Sequence, residues 1–226
     1  MAEPGSVGVC ELCGARKAKG SMPAHLKTCV PKHDASRGPV AALLQLRVQG
    51  ATNPVFWLDL EIKRESKLKD LDRFLRRVWL ECCGHLSSFH VNEFTYSVVV
   101  DKTFGSVPNE RSMNYGIGDV LSSGRQRFRY DYDFGSTTEL EGRVWGMRDG
   151  SIGRSPVRVL ARNEPPVWPC SECREPATLV CTYCLYDGDP FSCAQHAPEH
   201  ECADDESFLP VVNSPRMGVC GYTGEA

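Results

Sequence analysis

The spacing of cysteines between residues 170 and 202 constrains this chain more than any other feature. Two C-x2-C pairs lie in "CSECREPATLVCTYC", residues 170–184, and a Cys/His-rich stretch follows. Eight candidate ligands result: Cys170, Cys173, Cys181, Cys184, Cys193, His196, His200 and Cys202. Four thiolate or imidazole ligands satisfy one tetrahedral zinc ion, so eight satisfy two and leave none over. The segment has few large apolar residues, and we expect metal to be its largest stabilising contribution.

Two ways of sharing these ligands remain open. In the sequential arrangement, the first two pairs bind one ion and the last two pairs bind the other. In the interleaved arrangement, one ion is held by Cys170, Cys173, Cys193 and His196, and the other by Cys181, Cys184, His200 and Cys202. The interleaved arrangement is favoured because two ions then cross-link a short chain at two crossing points, as in B-box-like cross-brace modules.

The N-terminal stretch "CELCGARKAKGSMPAHLKTC" has the spacing of a small C2HC zinc finger. Cys10 and Cys13 form a knuckle that places two thiolates on one side of an ion. His25 and Cys29 are four residues apart, so a short helix presents both from one face and completes a tetrahedron. Ser21 is the predicted N-cap of this helix. Three zinc ions are therefore predicted for the whole chain.

Composition predicts the cellular compartment of the chain and the kinds of partner that it can bind. The chain has twelve cysteines, no basic start followed by an apolar stretch, and no apolar run of about 20 residues. We therefore expect a cytoplasmic protein without a membrane partner, in which the cysteines bind metal. The net charge is -3, but residues 164–226 hold two Lys/Arg against eleven Asp/Glu. This acidic segment is a candidate docking site for a protein partner.

Residues 38–163 predict an α+β domain, between a finger and linker (1–37) and a two-zinc module with its tail (164–226). "VAALLQLRVQG" and "PVFWLDLEIKRE" read as paired strands, and a helix is expected from Lys67 to Cys83. "SFHVNEFTYSVVV" reads as a returning strand. "RQRFRYDYDFG" and "TTELEGRVWGM" read as a hairpin. The order strand-strand-helix-strand predicts a β-grasp-like sheet with one packed helix.

Weaker signals concern basic and acidic side chains. A basic run near the finger is a candidate contact for nucleic-acid phosphates: Arg16, Lys17, Lys19 and Lys27. The carboxylates of Asp131, Asp133 and Glu139 could serve metal-dependent phosphoryl chemistry. The aromatic row of "RFRYDYDF" could stack bases, but a buried strand face is the simpler interpretation.

A further cluster follows the predicted helix in "ECCGHLSSFH". It offers a possible fourth metal site at Cys82, Cys83, His85 and His90. Core burial is the simpler prediction for Cys82. Cys220 has no partner in the pattern, so burial is predicted for it as well.

Three stretches resemble the Ri-plasmid open-reading-frame-three family, whose members are labelled insertion-element passenger or TnpR-like proteins. These stretches are "LKDLDRFLRRVWLECCGHLSSF", "FRYDYDFGSTTEL" and "LPVVNSPRMGVCGY". The zinc segments resemble a zinc-bearing branch of the family. The resemblance implies an α+β fold and an association with mobile elements. A serine-recombinase nucleophile motif is missing, which disfavours resolvase activity, and "CCGHLSSFH" replaces the family's Gly-Trp and paired-His stretch.

The sequence thus predicts a non-enzymatic zinc-binding adaptor that binds DNA, RNA or a protein partner. The first alternative is a pure protein–protein scaffold. The second is a nuclease or recombinase accessory enzyme that uses Asp131, Asp133 and Glu139.

Overall fold

The computed structural model describes residues 6–35, 38–100, 108–122, 124–186, 188–202 and 207–224. The chain forms two compact units. The sheet unit comprises Met1–Leu75 and Leu86–Glu164, and the cysteine-rich unit comprises Arg76–His85 and Pro165–Ala226.

Among its described residues, the sheet unit contains one ten-stranded sheet. Its strands are β1 (Val7–Cys10), β2 (Arg16–Ala18), β3 (Ala41–Gly50), β4 (Trp57–Lys63), β5 (Ser87–Val91), β6 (Phe94–Ser97), β7 (Glu110–Ser112), β8 (Arg127–Tyr132), β9 (Thr138–Gly150) and β10 (Val157–Asn163). Its helices are α1 (Met22–Cys29), α2 (Leu68–Leu75) and α3 (Ile117–Val120). The spatial order is β2-β1-β10-β4-β3-β9-β8-β5-β6-β7, antiparallel except for β6–β7.

Both hairpins predicted from the sequence are present in the sheet. β3 pairs with β4 from Leu43↔Lys63 to Gln49↔Trp57. β8 pairs with β9 from Arg127↔Arg143 to Tyr132↔Thr138. The mostly-sheet α+β class is confirmed, since strands dominate and the helices are short.

Both faces of β4 are buried, including the face that carries Asp59 and Glu61. The N-terminal segment covers this face, and Trp57 packs with Met22, Leu26 and Val30 of that segment. Asp59 and Glu61 are fully buried. Arginine side chains satisfy both carboxylates, because an unpaired buried charge is very costly. Arg47 donates to Asp59 over 2.9 and 2.6 Å, and Arg148 and Arg158 each donate to Glu61 over 2.6 Å.

Strand pairing beyond the hairpins departs from the β-grasp-like prediction. The stretch predicted as one strand is a hairpin of β5 and β6, turned at Asn92 with φ 53°. β5 pairs with β6 and β8 rather than with β3 or β4. The α-helix ends at Leu75 and continues as a π-helical turn over Arg76–Leu80, short of the predicted end at Cys83. The pairing of β5 with β8 joins distant parts of the chain and therefore leaves no local signal in the sequence.

The aromatic row of β8 belongs mainly to the core. Phe128, Tyr130 and Tyr132 are buried, whereas Phe134 beyond the strand is exposed. Tyr130 packs against Phe89 and donates a 2.7 Å hydrogen bond to Asp72. Burial leaves these three rings little surface on which bases could stack.

The cysteine-rich unit has little regular structure. It contains the π-helical turn and three short strands, β11 (Leu179–Cys181), β12 (Phe191–Ser192) and β13 (Phe208–Pro210), in the order β12-β11-β13. Across all the described residues, no helix is both long and apolar enough to span a bilayer.

Candidate metal centres

The N-terminal fold brings together the four residues predicted for the finger. Cys10 ends β1, Cys13 lies in the following turn, and His25 and Cys29 lie one turn apart on α1. The ligand atoms of all four lie within 4.8 Å of one another. Ser21 occupies the N-cap, but its hydroxyl donates to the Ala18 carbonyl and makes no capping bond.

Distances within this cluster match the edges of a metal tetrahedron. Zinc–sulfur bonds of about 2.3 Å place two sulfurs about 3.8 Å apart in a regular tetrahedron. Cys10 Sγ lies 3.9 Å from Cys29 Sγ, and Cys13 Sγ lies 3.4 Å from His25 Nε2. These four side chains could hold a metal ion without further movement of the backbone.

Two further clusters lie in the cysteine-rich unit. One groups Cys170, Cys173, Cys193 and His196, and the other groups Cys181, Cys184, His200 and Cys202. The sulfur separations are 3.9 Å for Cys173–Cys193 and 3.8 Å for Cys184–Cys202. The grouping joins the first pair to the third and the second to the fourth, which is the interleaved order.

A fourth cluster was only partly anticipated. It contains Cys82, Cys83, His85 and Cys220. His90 is not a member, because its Nε2 lies 2.9 Å from Asp131. The prediction that Cys220 is buried was wrong, since its thiol is exposed. No local pattern could have pointed to this residue, which lies 135 positions from His85.

The twelve cysteines all fall in described residues, and none forms a disulfide. Each of the four clusters takes three cysteines and one histidine, so together they use every cysteine of the chain. Cysteines scattered only to fill a core would not divide so evenly.

Without a cation, thiols in the three predicted clusters differ sharply in acidity. Backbone hydrogen bonds from Cys173 and Cys193 lower the pKa of Cys170 to about 6. Burial, together with the neighbouring thiols, raises the pKa of Cys29 and of Cys184 to about 12. A bound cation deprotonates coordinating thiols, so metal affinity falls as pH decreases.

The basic run near the finger is partly occupied by partners. Arg16 donates to Glu164 over 2.5 and 2.6 Å, and Lys19 donates to the Pro54 carbonyl over 2.6 Å. Lys17 and Lys27 are exposed. These contacts leave less positive charge for phosphate binding than the sequence suggested.

The three carboxylates proposed for catalysis do not form a metal cluster in the described part of the chain. Asp131 is held by His90 and Arg129, at 2.9 and 3.0 Å. Asp133 accepts the Gly135 N–H over 3.0 Å. Glu139 lies opposite Asp131 on β9 and is exposed. Two of the three carboxylates therefore already have local structural partners.

A basic cleft of about 460 Å³ lies on the sheet unit. Arg127 of β8 lies opposite Arg143 of β9, and Arg143 lies opposite Arg47 of β3. All three line the cleft, together with His90, Arg129, Glu139 and Glu141. Arg47 is already paired with Asp59, but Arg127 and Arg143 are exposed like charges directly opposite each other, an arrangement that destabilises a sheet and that a bound anion would relieve.

The fold and these clusters define a mixed α+β protein, built mainly of strands, with four Cys3His groups that could hold metal ions. The chain belongs to the family of plasmid pRiA4b ORF-3-like proteins, whose model matches residues 42–166. This match confirms the family resemblance seen in the sequence, whereas the zinc-bearing branch stays a prediction.

Among solved structures, the chain is similar to a protein of unknown function, MM3350, from Methanosarcina mazei Go1. The two are 13% identical with a TM-score of 0.43, over 54% of this chain and 68% of that one. No curated protein matches the chain.

Proposed function

We propose that the chain is a non-enzymatic zinc protein in which at least three ions are structural. The supporting observation is the spacing of ligand atoms in the finger cluster and in the two interleaved clusters, close to the edges of a zinc tetrahedron. Each cluster supplies four protein ligands. A filled tetrahedron has no open position for a water molecule or a substrate, so these ions act as structural cross-links.

Zinc is the ion that this donor set favours. Three thiolates and one imidazole suit zinc, whereas magnesium and calcium prefer oxygen ligands. The twelve reduced cysteines fit the reducing compartment expected for a cytoplasmic protein. One ion would cross-link residues within the finger (1–37), and two ions would cross-link residues within the module (164–226).

Elemental analysis of the purified full chain tests this proposal. We expect at least three zinc equivalents, and we expect Cys181→Ser to lose one of them. Thr182→Ser, a change at the neighbouring residue, is the matched control and should lose none. Fewer than three equivalents in the wild-type chain, after purification with added zinc, would contradict the proposal.

We further propose that the basic cleft binds nucleic acid through its phosphates. Arg127 and Arg143 are exposed and directly opposite each other, and within the described residues neither makes an ion pair. Arginine guanidinium groups bind phosphate oxygens in bidentate fashion. The Arg127–Arg143 pair supports the interaction better than the basic run near the finger.

Salt-dependent binding of single-stranded and duplex DNA and RNA of mixed sequence tests the interface. We expect Arg127→Gln/Arg143→Gln to weaken binding and to flatten the salt dependence, by about 0.9 in log–log slope per lost phosphate contact. The matched control is Lys17→Gln/Lys27→Gln, which removes two charges from the finger. If the control weakens binding while the arginine variant does not, the interface lies on the finger.

A protein partner at the cysteine-rich unit is the second candidate. Tyr183 and Tyr186 flank Cys184 and are 65% and 76% exposed. Exposed aromatic side chains in an acidic segment suit a partner with a basic, partly apolar surface. Tyr183→Ser/Tyr186→Ser should release a co-purifying protein without loss of zinc. Retention of that protein by the variant would contradict this candidate.

A further inference from the structure

The fourth Cys3His cluster lies within the cysteine-rich unit and is built from two distant parts of the chain. Cys82, Cys83 and His85 follow the π-helical turn, and Cys220 lies near the end of the described chain. Cys83 Sγ is 3.5 Å from Cys82 Sγ and 3.7 Å from Cys220 Sγ. His85 Nε2 is 3.0 Å from Cys83 Sγ and 3.3 Å from Cys220 Sγ.

These separations fit a shared cation better than a disulfide. A disulfide requires sulfurs about 2.05 Å apart, whereas sulfurs on one zinc ion lie about 3.8 Å apart. The imidazole presents Nε2 to both exposed thiols. The cluster has the same Cys3His composition as the other three.

The loop that carries three of the ligands is held in place by polar contacts. Arg76 donates to the Glu81 carboxylate over 3.0 Å and to the His85 carbonyl over 2.6 Å. The other Glu81 oxygen accepts the Gly84 N–H over 2.6 Å. Gly84 has φ 80°, a conformation that strongly favours glycine, and it turns the chain between Cys83 and His85. Such contacts around ligands fix their orientation in metal sites.

The second part of the cluster is also shaped for ligation. Cys220 has φ 50°, a strained conformation for a residue with a Cβ. Residues in such conformations cluster at functional sites. The side chain of Arg216 is fully buried, and its Nη2 lies 3.5 Å from Cys82 Sγ. A guanidinium beside a thiolate compensates the negative charge that three thiolates leave around one divalent cation.

We propose that Cys82, Cys83, His85 and Cys220 bind a fourth zinc ion. On binding, three thiols lose their protons to solvent and neutral His85 coordinates through Nε2. The resulting site has one net negative charge, which Arg216 offsets. The ion would tie the loop after the π-helical turn to the C-terminal segment.

This site differs from the other three in its exposure. Each of the other clusters contains at least one buried cysteine, whereas the fourth contains none. Exposed thiolates meet chelators and oxidants more readily than buried ones. The fourth ion should therefore be the first that a chelator removes.

Native mass spectrometry and elemental analysis of the full chain test this proposal separately from the three-ion proposal. We expect four zinc equivalents in the wild-type chain and three in Cys220→Ser. Cys220→His, which restores a zinc ligand, should keep four. His90→Gln removes the histidine that the sequence suggested for this site, and it should also keep four.

Three equivalents in the wild-type chain, unchanged in Cys220→Ser, would overturn the fourth site and leave the other three in place. A wild-type mass lower by two hydrogens, with Cys83 and Cys220 joined in one peptide, would overturn it in favour of a disulfide. If Cys220→Ser is poorly folded, Cys83→His and Cys83→Ser provide the same comparison. A separate test uses a limiting amount of chelator. It should remove one ion from the wild-type chain and none from a well-folded variant that lacks the fourth site.

Discussion

The two units of this protein are stabilised in different ways. The sheet unit has ten paired strands and a large apolar core, with fully buried side chains such as Leu46, Trp57 and Phe89. The cysteine-rich unit has three strands of two or three residues and a much smaller set of buried apolar side chains. It also holds three of the four Cys3His clusters. A chain that cannot bury enough apolar surface requires cross-links, and the zinc ions proposed above would supply them.

Removal of metal by a chelator should produce the largest difference between the two units. A zinc chelator at neutral pH should abolish amide protection throughout the cysteine-rich unit, because each structural zinc contributes about 10–16 kcal/mol. The strands β3, β4, β8 and β9 should keep their protection. Hydrogen exchange measured by mass spectrometry distinguishes the two units in one sample. Equal loss of protection in both units would show that the sheet also depends on metal.

Trp57→Ala tests the opposite dependence, on core burial. We expect a loss of about 3–5 kcal/mol in the free energy of unfolding of the sheet unit, because a fully buried indole is replaced by a cavity. Zinc in the two interleaved clusters should be unaffected. Val40→Ala is the control, since Val40 is 73% exposed and its truncation should cost little. A loss below about 1 kcal/mol for Trp57→Ala would contradict this account of the core.

The pH dependence of stability should reveal the contribution of the buried carboxylate of Glu61 to the sheet unit. Burial alone would raise the pKa of Glu61, but hydrogen bonds from Arg148 and Arg158 outweigh it and hold the pKa below the ordinary value of 4.5. A depressed folded-state pKa means that the carboxylate stabilises the fold above about pH 4.5. That stabilisation is lost as pH falls through the folded-state value. Denaturant unfolding of Glu61→Gln should therefore show lower stability at neutral pH and a shallower decline below pH 4.5.

Protonation of thiols also releases metal in acid, but this effect is common to the wild-type chain and to Glu61→Gln. The difference between their two pH profiles therefore reports Glu61 alone. Glu65→Gln, at an exposed position after β4, is the matched control and should follow the wild-type profile. Parallel profiles for Glu61→Gln and the wild-type chain would exclude the proposed role of Glu61.

The smallest expected effect concerns the surface pair of Arg16 and Glu164. Arg16 lies 2.5 Å from Glu164, but its side chain is 69% exposed. Solvent screening makes such exposed ion pairs contribute little to stability. Arg16→Gln should thus leave the free energy of unfolding close to that of the wild-type chain, as measured by denaturant titration. A larger loss would show that β2 depends on this ion pair.

Local patterns predicted the parts of the fold in which partners are near in sequence. The hairpins β3–β4 and β8–β9 were predicted because alternating strands were separated by short turns. The β5–β6 hairpin was missed because the turn at Asn92 and Glu93 interrupts one continuous strand pattern. The burial of Asp59 and Glu61 could not be predicted from the sequence, because charge alone favours exposure. The arginines on β3, β9 and β10 make that burial tolerable.

The α+β class, the family and the pairs of neighbouring cysteine or histidine ligands could all be predicted from the sequence. These pairs include C-x2-C knuckles and residues one helical turn apart. Those properties depend on residues a few positions apart, whose geometry is set by the local backbone. The tertiary structure alone decided that β1 pairs with β10, that three arginines align across β8, β9 and β3, and that Cys220 joins Cys82, Cys83 and His85. These contacts join residues far apart in the chain, and closing such long loops depends on the whole fold rather than on any local pattern.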